Sequence, residues 1–186
     1  MTQDLSLDSA KAGAFAERLL GTLNQGALCL MISVGHRIGL FDVLRDLAPA
    51  TSSEIAAKAD LNERYVREWL GAMVTGRIID VDPSTSRFFL PREHAAFLTQ
   101  PAGADNLAVF AQYIPLLGSV EDDIVECFKK GGGVPYSKFP RFHAVMAEDS
   151  GQSVLSSLES HILPLVPGLA QRFDTGIQML DVGCGR

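Results

Sequence analysis

Apolar residues recur every three to five positions from Ser9 to about Ile38, at Phe15, Leu19, Leu23, Leu28, Met31, Val34 and Ile38, with no proline between them. That period predicts one long helix. Its middle, Ala27-Leu28-Cys29-Leu30-Met31-Ile32, is apolar on more than one face, so it must be central to a domain or shared with another subunit. A small domain has limited interior for such a helix, and a homodimer interface is the expectation.

Beyond Gly39 the pattern shortens. Leu40 to Leu44 reads as a helix before Pro49, and Thr51-Ser52-Ser53-Glu54 supplies cap-type residues for a second helix, Ile55 to Ala59. Asp60-Leu61-Asn62 makes a turn. A third helix runs from Glu63 to Val74, with Val66, Leu70 and Met73 on one face and Gly76 as its terminator. Ile78 to Asp82 and Arg87 to Leu90 read as two strands around the turn Pro83-Ser84-Thr85-Ser86. Helix, helix, turn, helix and β-hairpin in that order predict a winged helix-turn-helix.

Two more helices are expected between Pro101 and Lys130, the first from about Asp105 to Ile114 with a break at Pro115, the second carrying Val120, Ile124, Val125 and Phe128. Gly131-Gly132-Gly133 ends the second. With no strand before it and no Gly-Lys-Ser/Thr, this run is a flexible linker rather than a phosphate loop. The stretch Tyr136 to Met146 is rich in aromatics, and Phe139, Phe142, His143 and Met146 fall at helical spacing on one face. Two readings stay open: a core face with a satisfied His143, or the wall of a substrate pocket, where Tyr136 or His143 supplies a hydrogen bond or takes a proton. Leu155, Leu158, Ile162, Leu165 and Leu169 predict an amphipathic helix from Ser153 to Phe173, kinked or divided by Pro164 and Pro167. Ile177 to Val182 is a final apolar strand.

Composition narrows the function. The 186 residues are 47% hydrophobic with mean hydropathy +0.15 and a net charge of −6, which suits a well-buried globular protein and disfavours generic attraction to nucleic acid or anionic membranes. Cys29, Cys127 and Cys184 lack metal-ligand or disulfide-framework spacing, so no metal is expected. No secretory signal is evident, and the apolar run Ala27 to Val34 falls far short of the ~20 residues a membrane span needs. A cytoplasmic protein is the expectation. Over Thr51 to Glu93 six basic residues face seven acidic ones, and in the third helix Glu63 and Glu68 balance Arg64 and Arg67. DNA readers draw affinity from phosphate neutralisation, so DNA binding is the weaker use of this module.

The chain closes on Met179-Leu180-Asp181-Val182-Gly183-Cys184-Gly185-Arg186. Glycines at a strand tip let the backbone approach a ligand closely, and a following helix would offer its amides. The Asp181 carboxylate would repel a pyrophosphate there, so a cofactor with a cationic or amino-acid end fits better. Leu180-Asp181-Val182-Gly183-Cys184-Gly185 resembles the first motif of class I methyltransferases that use S-adenosylmethionine, a hydrophobic strand followed by Asp/Glu-x-Gly-x-Gly-x-Gly. The order long helix, winged helix, aromatic helix, motif is similar to bacterial methyltransferases with an N-terminal winged-helix domain, related in plan to plant small-molecule O-methyltransferases.

The resemblance implies that Asp181, Gly183 and Gly185 lie along the methionine portion of S-adenosyl-L-methionine. It also implies that the winged helix serves dimerisation and covers the active site. The third glycine, the second strand with its ribose-binding acid and the later acceptor-side residues lie outside residues 1–186. The expectation is therefore a mainly α chain with a small β-hairpin: a helical dimerisation segment (1–38), a winged helix-turn-helix (39–99), a helical linker and acceptor-pocket segment (100–176) and the first strand of a truncated Rossmann-like α/β methyltransferase domain (177–186). Tyr136, Phe139, Phe142, His143 and Met146 are the acceptor-pocket candidates, with His143 as the candidate catalytic residue. The acceptor would be a small molecule. S-adenosylmethionine would serve the intact parent, and residues 1–186 alone are expected neither to bind it nor to transfer methyl. The alternative is a winged-helix transcriptional regulator that binds DNA. Lacking parallel neighbours, Leu180 and Val182 are expected to be poorly ordered, packed on the 153–173 helix or buried in another contact.

Overall fold

The computed structural model describes residues 7–180, 182 and 183. Helix α1 (Ser9–Arg37) starts where the Asp8 carboxylate accepts the amide hydrogens of Ala10 and Lys11, each at 3.1 Å. It ends with His36 and Arg37 in the last turn, where cations suit the carbonyl end of the helix dipole. Only its C-terminal third is packed. From Ser9 to Gln25 every residue except Ala12 is exposed, whereas Ser33, Gly35 and His36 are buried.

The winged helix-turn-helix forms as the sequence predicts. Helices α2 (Leu40–Asp46), α3 (Ser52–Ala59) and α4 (Glu63–Thr75) precede the hairpin β1 (Asp80–Asp82) and β2 (Arg87–Phe89) and the short α5 (Arg92–Ala95). A capping box opens α3: Thr51 Oγ1 accepts from the Glu54 amide, and Glu54 Oε2 accepts from the Thr51 amide at 2.8 Å. Leu40, Phe41, Ile55, Leu70, Met73 and Ile79 are fully buried and form the centre of one apolar core with Trp69 and Val66. The antiparallel strands pair Val81 with Phe88, and Ala50 adds a single bridge to Phe88. They are shorter than the sequence pattern suggests. The amides of Ile78 and Ile79 both turn back to the Met73 carbonyl to close α4 and do not join the ladder. The left-handed residue of that closure is Arg77, at φ +58°, not Gly76. Gly76 is needed for another reason: a Cβ there would lie 2.4 Å from Leu28 Cδ1.

The same kind of close approach locks α1 to α4 one turn from the α1 terminus. A Cβ on Gly35 would lie 2.3 Å from Trp69 Cζ2. With only hydrogen at that position the Cζ2–Cε2–Nε1 edge of the indole comes up against α1, and its Nε1–H donates to the Met31 carbonyl at 2.8 Å. Phe41 meets the same ring edge-on at 5.3 Å.

Residues 100–183 depart further from expectation. Two 3₁₀ segments, Gln100–Asp105 and Leu107–Gln112, lead into α6 (Tyr113–Gly118), so the helix predicted for 105–114 is tighter and the break falls after Gly118. Pro115 lies in the first turn of α6, where the amide it lacks would have no α-helical partner. Helix α7 (Glu121–Lys130) ends at Gly131, φ +74°. A 3₁₀ turn at Tyr136–Lys138 precedes α8 (Phe142–Ser150). The predicted 153–173 helix is instead two π-helical turns, Gly151–Leu155 and Leu158–Ile162, a 3₁₀ turn at Leu163–Leu165 and α9 (Leu169–Thr175). Its leucines do not share a buried face: Leu155 and Leu165 are exposed. Residues 177–180 lie in no helix or strand, and Leu180 and Val182 are neither buried nor packed on the preceding helix but more than 80% exposed. A strand needs a ladder partner, and none of the described residues supplies one.

The glycines of the two helices should therefore respond with opposite signs. Gly35→Ala forces the Trp69 ring to move and is expected to lower unfolding stability by about 1–3 kcal/mol. Gly71→Ala, in the interior of α4 with open space at its Cβ position, should raise stability by up to about 1 kcal/mol. Urea titrations followed by Trp69 fluorescence and circular dichroism check both.

Candidate functional site

The aromatic segment is a real cluster with a different layout from the one its spacing suggests. Phe139 precedes α8, and its ring lies 6.1 Å from that of Phe142. The Tyr136 ring also packs near Phe142, at 5.1 Å. Within α8, Phe142 and Met146 are one turn apart and share a face, whereas His143 lies a quarter turn round, exposed and edge-on to Phe142 at 5.6 Å. Tyr136 is 69% exposed and none of Phe139, Phe142, His143 and Met146 is buried, so the cluster lies at the surface. Five candidates are thus adjacent, and His143 makes no hydrogen bond to another described residue.

The flank of α8 adjoining the Phe142–Met146 face carries polar groups that sequence reasoning missed. His36 Nε2, at the end of α1, lies 2.6 Å from Glu148 Oε1. Gln112 Nε2 donates to Glu148 Oε2 at 2.7 Å, and its Oε1 accepts from the Arg141 guanidinium. Arginine only donates and carboxylate oxygen accepts, so this arrangement orients the buried Gln112 amide. Tyr113 Oη donates to Asp149 Oδ2 at 2.8 Å and lies 3.0 Å from Met146 Sδ. Gln152 Nε2 donates to the Asn106 carbonyl at 2.7 Å. Burial, and then the nearby Arg37 charge, lower the Arg141 pKa. The signal was available: residues 141, 145, 148, 149 and 152 fall on one helical stripe, and four of the five are polar.

Of the cofactor-motif residues, Asp181 and Gly185 lie outside the described residues. Gly183 is described, with φ +78° and open space where a Cβ would stand. A positive φ is a conformation that glycine adopts without strain. Two grooves lie elsewhere. One of about 640 Å³ runs between α1 and α4, lined by Asn24, Gln25, Leu28, Met31, Thr75 and Arg77. The other, about 310 Å³ and nearly all apolar, is lined by Cys29, Ile32, Leu98, Leu107, Phe110 and Ile114. Neither includes a residue of the aromatic segment.

The wing is electrostatically self-contained. Arg87 Nη1 donates to the Pro49 carbonyl at 2.8 Å and to Glu54 Oε2 at 3.0 Å. The Thr51 amide and hydroxyl, and then Arg87, hold the Glu54 carboxyl below its usual range. At the wing tip the Asp82 carboxylate accepts from Ser84 and Thr85, chiefly through the Ser84 hydroxyl, which lowers its pKa. Among the described residues no cluster of His, Cys, Asp and Glu is suited to a metal, and no single helix is long and apolar enough to cross a membrane.

Comparison with known proteins agrees with this architecture. Residues 26–100 match the family model described as the Rv2258c-like winged HTH domain, which takes in the packed third of α1 as well as the hairpin. No curated protein matches the sequence significantly. Among solved structures, the mitomycin 7-O-methyltransferase MmcR superposes with a TM-score of 0.59 at 18% identity, over 78% of this chain and 46% of its own. PigF, solved with SAH, gives 0.54 at 21% identity, over 73% and 43%. Human N-acetylserotonin methyltransferase, in complex with SAM, gives 0.55 at 16% identity, over 86% and 51%. The chain thus has a winged helix-turn-helix domain and shares its fold with part of these methyltransferases, spanning about half the length of the solved structures it matches.

Tyr113 reports on the polar side of α8. Burial, reinforced by its bond to Asp149, pushes its pKa up to about 12 from 10.0. Because the folded value lies above the unfolded one, the stabilisation is complete below pH 10 and is lost as pH rises from about 10 to about 12. A spectrophotometric titration should show one of the three tyrosines ionising near pH 12, and Tyr113→Phe should remove that component.

Proposed function

We propose that this chain is the winged-helix and acceptor-side part of an S-adenosylmethionine-dependent methyltransferase acting on a small molecule. The observation that carries the reading is the coincidence of an Asp-x-Gly-x-Gly motif at 181–185 with a winged-helix fold shared with methyltransferases. The cofactor, when bound, supplies a sulfonium-activated methyl group. Gly183, whose bare Cα leaves room for a ligand, and Gly185 would let the backbone approach it, with Asp181 toward its amino-acid end. Tyr136, Phe139, Phe142 and Met146 would hold the acceptor by apolar contact, and His143, beside Phe142, would take its proton. Catalysis of this kind rests mainly on positioning.

The exposed stripe of α1 supports a dimer as part of the same reading. Phe15, Leu19, Leu23, Leu30 and Val34 run along about 30 Å of one side of the helix and are exposed. An apolar strip of that length is unusual on a monomer's surface and suits a second copy of the chain. A DNA-binding regulator is the second reading, favoured by the winged-helix match alone. Its weakness is charge: Arg87 of the wing is paired with Glu54, and Arg67 of α4 lies 3.7 Å from Glu63. A cytoplasmic location belongs to the proposal.

Calorimetric titration tests the cofactor assignment. The gene product that contains this chain should bind S-adenosylmethionine at micromolar affinity and lose at least about tenfold with Asp181→Ala. Residues 1–186 alone should give no measurable heat, and micromolar binding by them would sink the proposed division of the site. Sedimentation velocity should show residues 1–186 as a dimer and Leu19→Glu/Leu23→Glu as a folded monomer. A wild-type chain that sediments as a monomer ends the dimer proposal.

A further inference from the structure

Two kinds of cohesion meet in this molecule. The winged-helix body closes on a continuous apolar core. From Gly131 onward, Val145 is the one buried residue among those described. Residues 134–155 are held to the body by polar ties instead. Lys138 Nζ reaches Asp123 of α7 at 3.2 Å, Arg141 reaches Gln112, Glu148 reaches His36 and Gln112, Asp149 reaches Tyr113, and Gln152 reaches the Asn106 carbonyl.

The difference decides how the segment detaches. An apolar core loses its stabilisation when any part is exposed to water, whereas a polar tie between partly exposed groups exchanges its partner for water at small net cost. Glu148 is 39% exposed at its side chain, and Lys138 and Asp123 are 55% and 42% exposed, so water already reaches these ties. His36, Gln112 and Asn106 on the other side of these ties are buried, and lifting the strap opens them to water in exchange. The strap also has joints at both ends. Gly131 and Gly132 take φ of +74° and +92°, and none of Gly131, Gly132 and Gly133 has an atom within 4 Å of its Cβ position. At the far end the α-helical path gives way to the π-helical turn Gly151–Leu155.

We propose that residues 134–155 form a strap that lifts off the end of α1 and the 106–123 segment as one unit, hinged at Gly131–Gly133 and latched by the His36–Glu148–Gln112–Arg141 chain together with Tyr113–Asp149. Lifting carries Met146 away from Tyr113. The role of that movement as a gate for the acceptor rests on the reading of Tyr136 to Met146 as the acceptor wall. The movement itself does not.

Amide hydrogen exchange read by mass spectrometry tests the strap without cofactor or acceptor, so the result is separable from methyl transfer. In the wild-type chain at neutral pH, peptides from 142–150 should exchange at least about tenfold faster than peptides from α4. Glu148→Ala should speed exchange across 142–155 by a further fivefold or more, while α3 and α4 stay unchanged. Tyr113→Phe, a milder loss of one donor, should act in the same direction and serves if Glu148→Ala does not fold. Equal protection of α8 and α4 in the wild type overturns the proposal, as does a variant that speeds both helices alike.

Discussion

The absence of a side chain at Gly35 is the constraint on which the packed structure depends. It lets the Trp69 ring lie against α1 at a distance no other residue would permit, and the indole then donates into a backbone carbonyl of the same helix. Gly76 repeats the device at the other end of α4, where Leu28 fills the space its Cβ would take. Two glycines and the residues that fill their gaps therefore set how α1 crosses α4. Everything that α1 carries at its end, His36 included, is placed by that crossing.

From there the molecule divides by the type of force that holds each part. Residues 40–95 are joined by apolar burial, and the hairpin is pinned through Ala50, Phe88 and the capping box. Residues 134–155 are joined by hydrogen bonds and ion pairs around a single buried valine. The wing uses its arginine internally, bound to Glu54 and Pro49. Arg67 and Arg87 are paired within the fold, which leaves fewer of the module's cations for phosphate. The chain shares its fold with part of several methyltransferases.

Much of this was legible in the chain. The long helix, the helix order, the hairpin turn and the Thr51–Glu54 cap follow from local periodicity and local hydrogen-bonding chemistry, which neighbouring residues alone decide. The aromatic candidates were found as a group because their density is a local property as well. Local signals misled where two structures share one pattern: the leucines from 155 to 169 have helical spacing, yet the chain turns through π and 3₁₀ segments and leaves several of them exposed. Pro115 was read as a break, although a first helical turn accepts proline.

What the sequence determined by itself was the module order and the terminal motif, because helix period, caps, turns and Asp181-x-Gly183-x-Gly185 are written within short windows. Only the tertiary structure decided which distant residues meet. His36 lies 112 positions from Glu148, and no local spacing links a histidine ending one helix to an acid in another. The same holds for Gly35 and Trp69, whose fit is a matter of one missing Cβ seen across a helix crossing. Periodicity shows that a face is buried. Which partner it is buried against depends on the packing of the whole chain.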